Sequence, residues 1–251
     1  MSGPCLKLTF VTLAVLTLLP VGPAFAGGAE ISPPALDVRA LKRMIENRDP
    51  LALVHTGSII ECRDARIPSS VCIPCGEEGR TALKALPEAG QRRVVFYDVD
   101  TPPDGTCPVV AEVMRSGTAK AYVLKGGLVA WKRGGNAVES PRRVRRAAVP
   151  AVRARDLQTW KRKTPLHLVI DIRPPRSYRL GSVPGALNIP LEELHRRHGE
   201  IPRGRRLMVV DEDGTRAFLA AGYLTERGFG PVTRLLGGME AYRDLRGGEG
   251  N

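Results

Sequence analysis

Two acidic pairs stand where short apolar runs break off: Asp98-Val99-Asp100 after Val94 to Tyr97, and Asp211-Glu212-Asp213 after Leu207 to Val210. A carboxylate at the end of a buried strand has a small repertoire. It can attack phosphorus with a neighbouring acid and magnesium to help. It can cap the next helix by accepting backbone N–H groups, or keep other anions out of a loop shaped to hold them. Asp211 is followed at once by Gly214-Thr215-Arg216. Asp98 reaches the matching Asp104-Gly105-Thr106 only after an insertion carrying Pro102-Pro103, and Cys107 then stands where Arg216 does. Capping is the simplest reading of Asp211.

The other reactive side chains are cysteines. Besides Cys5 there are Cys62, Cys72, Cys75 and Cys107, all in the first half. Cys72-Ile73-Pro74-Cys75 has the spacing of a redox pair or of half a zinc site. A redox pair, however, wants its first cysteine at a helix N-terminus, and a zinc site wants two more ligands. The nearest histidine is His55. Four cysteines in an oxidising compartment favour two disulfides, in any of three pairings. That compartment is expected from the first 26 residues: Lys7, an apolar run from Leu8 to Leu19, Pro20, then Ala24-Phe25-Ala26. This is the pattern of an export signal cleaved near Ala26. The apolar run is too short for the ~20 residues of a bilayer span, so no stable membrane anchor is expected, and the mature protein is read as periplasmic or secreted. Cys5 leaves with the signal.

Composition is that of a folding chain, 43% hydrophobic and 25% charged, with a net charge of +12. The charge suits an exported protein partner or a small anion. Arginine clusters at Arg142 to Arg146 and Arg203 to Arg206 carry no interleaved aromatics, which argues against nucleic acid. No cofactor or metal site is expected.

The elements that must position these groups repeat. Leu41, Met44 and Ile45 make the stripe of one helix, and Leu51 to Val54 the strand after it; Leu157 and Trp160, then Leu166 to Ile170, do the same later. Arg66 to Pro74 parallels Ser182 to Pro190. In both halves an acidic pair follows an apolar strand. Helices ending at Gly117 and Gly228 come next, then Gly126-Gly127 before Trp131 and Gly237-Gly238 before Tyr242. Apolar strands alternating with helices predict an α/β fold, with two small, mainly parallel sheets covered by helices on both faces. The divisions are a signal at 1–26, one domain at 35–139, a Pro- and Arg-rich linker at 140–150 and a second domain at 151–247.

Ile170-Asp171-Ile172-Arg173, Tyr178, Gly181 to Ala186, Val210 to Arg216 and Leu236-Gly237-Gly238 together resemble the rhodanese family, across nearly all of residues 148 to 247. The first half resembles it more weakly, having His55-Thr56-Gly57 in place of the Asp-x-Arg pair. The resemblance implies tandem domains packed face to face as a pseudo-twofold monomer. It also implies a loop of inward N–H groups that opens on a sulfur-carrying cysteine. Asp98 and Asp211 hold that position here. Gly214 and Arg216 match the family's loop of residues 211–216, Asp171 and Arg173 match its supporting pair, and Ser182 replaces a histidine. A degenerate binding module is therefore expected, with Cys107 as a displaced sulfur carrier the alternative. The loop is expected to hold Asp211 ionised, with a depressed pKa. Val209 to Thr215 also looks like the nucleophile motif of haloacid-dehalogenase-type phosphatases, but too little chain follows it to supply their remaining residues.

Overall fold

The computed structural model describes residues 32–83, 93–100, 103, 106–144, 149–230 and 232–248. The segment read as an export signal, 1–26, lies outside the described residues, as do 145–148 of the expected linker. In the first half β1 (Ala35–Leu36), α1 (Val38–Glu46), β2 (Leu51–His55), α2 (Ile59–Asp64) and β3 (Val71–Cys72) come first. They are followed by α3 (Glu77–Leu83), β4 (Arg93–Tyr97), α4 (Pro108–Ser116), β5 (Lys120–Leu124) and α5 (Gly127–Arg133). The second half has β6 (Ala151–Arg153), α6 (Leu157–Lys163), β7 (His167–Asp171), α7 (Pro175–Arg179) and β8 (Leu187–Asn188). It continues with α8 (Leu191–Arg197), β9 (Arg206–Val210), α9 (Ala217–Glu226), β10 (Thr233–Leu236) and α10 (Gly238–Gly248).

Each half is one five-stranded sheet, in the order β1-β5-β4-β2-β3 and β6-β10-β9-β7-β8, and every strand pair is parallel. The expected α/β fold is thus present, with the same strand order twice. Central parallel strands are covered on both faces, which is why Val94 to Tyr97 and Leu207 to Val210 are continuously apolar. In β4, Val95 and Tyr97 join Leu41, Leu128 and Trp131 on one face, while Val94 and Phe96 join Val109, Val110 and Val113 on the other. Caps follow from local chemistry: Asp37 accepts Ala40 N–H at 2.7 Å to start α1, and Ser58 with Glu61 forms a capping box at α2.

Two details of the repeat differ from the sequence reading. In α1 only Leu41 is buried; Met44 is half-buried and Ile45 exposed, because a helix this short meets the sheet along one row of side chains. Leu166 does not open a strand. It sits at φ 58° with 64% of its surface exposed, its carbonyl accepting Arg206 N–H at 3.2 Å while its side chain stays outside.

The halves meet through α2, which lies against α8 and α9. Ile60 is 5% exposed and belongs to the second half's core, with Leu191, Leu194 and Tyr223.

Candidate functional site

The strand order brings Asp98 and Asp211 to the same place in their sheets, one residue beyond β4 and β9. The backbone anchors are also the same. Leu128 N–H donates to Asp98 O and Val129 N–H to Val99 O; Met239 and Glu240 do likewise to Asp211 O and Glu212 O, all at 2.8–2.9 Å. The glycine pairs make this close approach possible. A Cβ on Gly127 would stand 2.4 Å from Asp98 O, and one on Gly238 2.5 Å from Glu212 O; both glycines also have φ of 55°, which side chains disfavour.

In the second half the Asp211 carboxylate fills its own loop. Gly214 N–H donates to Oδ1 at 2.9 Å, and Arg216 and Ala217 N–H donate to Oδ2 at 2.6 and 2.9 Å. Asp213 accepts Thr215 N–H and Oγ1 at 3.0 and 2.6 Å. The expected depression of the Asp211 pKa does not follow, however. With 4% of its surface exposed, burial raises it, the three backbone N–H groups recover only part of that cost, and the charge of Asp213 adds to the rise. Asp211 therefore does not add stability at neutral pH in the way a depressed carboxyl would.

Asp171 and Arg173 meet in a fully buried pair. Arg173 Nε and Nη2 donate to Oδ1 and Oδ2 at 3.0 and 2.8 Å, while Nη2 also reaches Gly181 O at 2.6 Å and Nη1 reaches Glu212 Oε2 at 3.0 Å. Asn188 Nδ2 ties down both carbonyls of the pair. The buried pair thus braces the loop from behind, through Glu212, which Arg243 also contacts.

In the first half Cys107 is the N-cap of α4, as Arg216 is of α9. Its sulfur is bonded to Cys75, and Cys62 is bonded to Cys72, with Cα separations of 5.2 and 5.9 Å. Cys72 and Cys75 are thus paired to different partners, not to each other. His55 takes the register position of Asp171. It is fully buried, its Nδ1 accepts Gly57 N–H at 3.2 Å, and burial, with the charges of Arg66 and Lys132, lowers its pKa to about 4.

The loops of the two halves are joined by the Arg216 side chain, which reaches Glu61 Oε1 at 3.3 Å and Asp100 Oδ1 at 3.4 Å. Glu61 is a residue that motif reading missed, although Ser58-x-x-Glu61 is a capping-box spacing. Its side chain is 3% exposed, and Oε2 accepts Ser58 N–H and Oγ at 2.9 and 2.8 Å. Three carboxyls crowd here. Burial raises Glu61, against the pull of Arg216 and Ser58, and burial likewise raises Glu192 on α8. Asp98 is pushed up to about 6 by burial and by the charge of Glu61. Gly57 is what allows the crowding, since a Cβ there would lie 2.4 Å from Asp98 Oδ1 and 2.8 Å from His55 Cε1.

A raised carboxyl binds its proton more tightly when folded. Stability from Asp98 is therefore lost as pH rises from the unfolded value near 3.9 through about 6. Asp98→Asn keeps the acceptor for Val99 N–H (2.6 Å) and removes the charge. We expect it to stabilise the protein by about 1–3 kcal/mol at pH 8 and to change little at pH 4. Equal effects at both pH values in urea titrations would refute the assignment.

The described residues thus present a loop closed on its own carboxylate, beside an acid cluster with one arginine as countercharge. The family model described as a rhodanese-like domain matches residues 153–245. A sulfurtransferase of Allochromatium vinosum is 36% identical over 75 residues, 30% of this chain and 70% of that protein. The thiosulfate sulfurtransferase GlpE of Shewanella oneidensis is 37% identical over 76 residues, 30% of this chain and 75% of that protein. The solved thiosulfate sulfurtransferase of Pseudomonas aeruginosa matches at a TM-score of 0.39 and 21% identity, covering 81% of this chain and 43% of that one.

Proposed function

The chain belongs to the rhodanese-like domain family, and on that premise we propose that it is an exported, tandem-domain member in which sulfur transfer has given way to binding. The observation that carries this reading is the occupancy of the second loop. The Asp211 carboxylate takes the N–H groups of Gly214, Arg216 and Ala217, the kind of donors that would hold a persulfide or thiosulfate. A carboxylate cannot carry a persulfide, and Asp98 repeats the substitution in the first half. Export is supported by the apolar run and Ala24-Phe25-Ala26 of the sequence and by the two disulfides, bonds of oxidising compartments. The partner is an exported protein or a small anion, met by a single chain acting as a domain pair.

One observation favours a second reading, sulfur transfer through Cys107. This cysteine caps α4 where Arg216 caps α9, and both relatives named above are called sulfurtransferases. The reaction would first require reduction of the Cys75–Cys107 bond, because only a thiolate attacks the sulfane sulfur.

Both readings are tested by thiocyanate formation from thiosulfate and cyanide. The wild-type protein, oxidised or reduced, is expected to match the buffer blank. Asp211→Cys is expected to exceed it by at least about tenfold, the introduced thiolate inheriting the same N–H groups, taking the sulfane sulfur and releasing sulfite. Wild-type turnover that vanishes in Cys107→Ala would establish the second reading. An inert Asp211→Cys with normal folding would remove the loop assignment.

A further inference from the structure

At the other end of α9 from the aspartate loop, the two halves and the stretch between them enclose a separate pocket of about 260 Å³. Arg216 caps the start of α9 and Glu226 ends it, so about 15 Å of helix lies between the two places at 1.5 Å per residue.

The pocket is built by three segments that hold one another in position. α2 contributes Ile59, Ile60 and Arg63, the connecting stretch Arg142 and Val144, and the end of α9 Tyr223 and Arg227. Arg142 N–H donates to Arg63 O at 2.8 Å, and Val144 N–H to Asp64 Oδ1 at 2.7 Å. The Val144 side chain lies on the bare backbone of Gly222, where a Cβ would come within 2.4 Å of Val144 Cγ1. Tyr223 is fixed by its hydroxyl, which donates to His195 O at 3.2 Å. Ile60, Val144 and the Tyr223 ring thus form a preformed apolar floor.

The rim is cationic. Arg142 is paired with Glu226 at 3.3 Å. Arg227 lies over the Tyr223 ring, 5.0 Å from its centroid, with no acid partner among the described residues. Arg63 has no side-chain partner among the described residues, since Asp64 beside it is engaged by Val144. The negative end of α9 is met by Arg203, which donates to Arg227 O at 2.9 Å. Two planar guanidinium groups are therefore left facing an apolar floor. That combination suits an anion able to accept two hydrogen bonds and attached to an apolar body. A bare inorganic anion would leave the floor unused.

We infer that this pocket binds a small organic anion, a carboxylate or sulfonate, with Arg63 and Arg227 on the charged group and Ile60, Val144 and Tyr223 against the apolar body. The site stands apart from the aspartate loop and does not depend on how that loop is read.

The test is a fluorescence titration of the full chain with 8-anilinonaphthalene-1-sulfonate. Saturable one-to-one binding is expected, weakened at least about tenfold by Arg63→Glu and by Arg227→Glu. Arg39→Glu, on the exposed face of α1, should bind like wild type. The uncharged N-phenyl-1-naphthylamine should bind at least tenfold more weakly than the sulfonate. Circular dichroism should show Arg63→Glu folded, because that side chain is exposed and has no hydrogen-bond or ion-pair partner among the described residues. The inference is overturned if binding does not saturate, if neither arginine variant weakens it, or if the uncharged probe binds as well as the sulfonate.

Discussion

Reduction of the folded protein with a phosphine is expected to destabilise the first half by several kcal/mol while the second half keeps its own bonds. Cys75–Cys107 closes a separation of 32 residues and Cys62–Cys72 one of 10. Loop-closure entropy gives about 3–4 and 2–3 kcal/mol for loops of these lengths, as an upper range. The longer bridge ties the chain after β3 to the start of α4. The second half contains no cysteine. Calorimetry with and without reductant should therefore separate one transition into two, the lower one belonging to the first half. Superimposable scans, with the thiols shown to be liberated, would mean that the bridges contribute no stability.

Arg216→Met is expected to be the most damaging change at the junction, and to be so in a pH-dependent way. Glu61 is buried to 3% side-chain exposure and has Arg216 as its ion partner, whereas Arg216 itself is 38% exposed. Removing the cation leaves Glu61, Asp98 and Glu192 facing one another. Breaking a fully buried pair costs several kcal/mol, and the solvent reaching Arg216 reduces this to about 1–3 kcal/mol. The sign follows from the raised pKa values of these carboxyls. Without Arg216 they rise further, so the folded variant holds its protons to higher pH and loses stability relative to wild type as pH increases through that range. Urea titrations should give a large difference at pH 8 and a much smaller one at pH 5. The same loss at both would show that Arg216 acts by packing and not by charge. The Arg216 backbone N–H, which binds Asp211, is kept in the variant.

The repeat was legible because each strand is an unbroken apolar run and each glycine pair sits where a chain must pass close by. Asp98 and Asp211 could be placed at strand ends from those runs alone. What joins them could not, since Glu61 and Arg216 are distant in sequence and meet only because α2 lies on α9. The direction of the Asp211 pKa is not legible for a related reason: the three N–H donors are implied by the loop, but the depth of burial that outweighs them depends on what is packed above. His55 was legible only as a departure, standing in place of the aspartate of the Asp-x-Arg pair; its complete burial and its Nδ1 contact with Gly57 N–H were not. The cysteine pairing depended on Cys72 lying in β3 and Cys75 just beyond it, and no spacing contains that.

Ile60 has a further consequence, in the order of events during synthesis. It is carried by the first half but buried in the second half's core, and amino-terminal domains fold first as they emerge from the ribosome. The nascent first half must therefore present Ile60 to water, beside Ile59, until more than a hundred further residues have been made and α8 and α9 arrive to cover it. The two halves are thus successive steps of one assembly, and the second completes its core around a side chain that has been waiting for it.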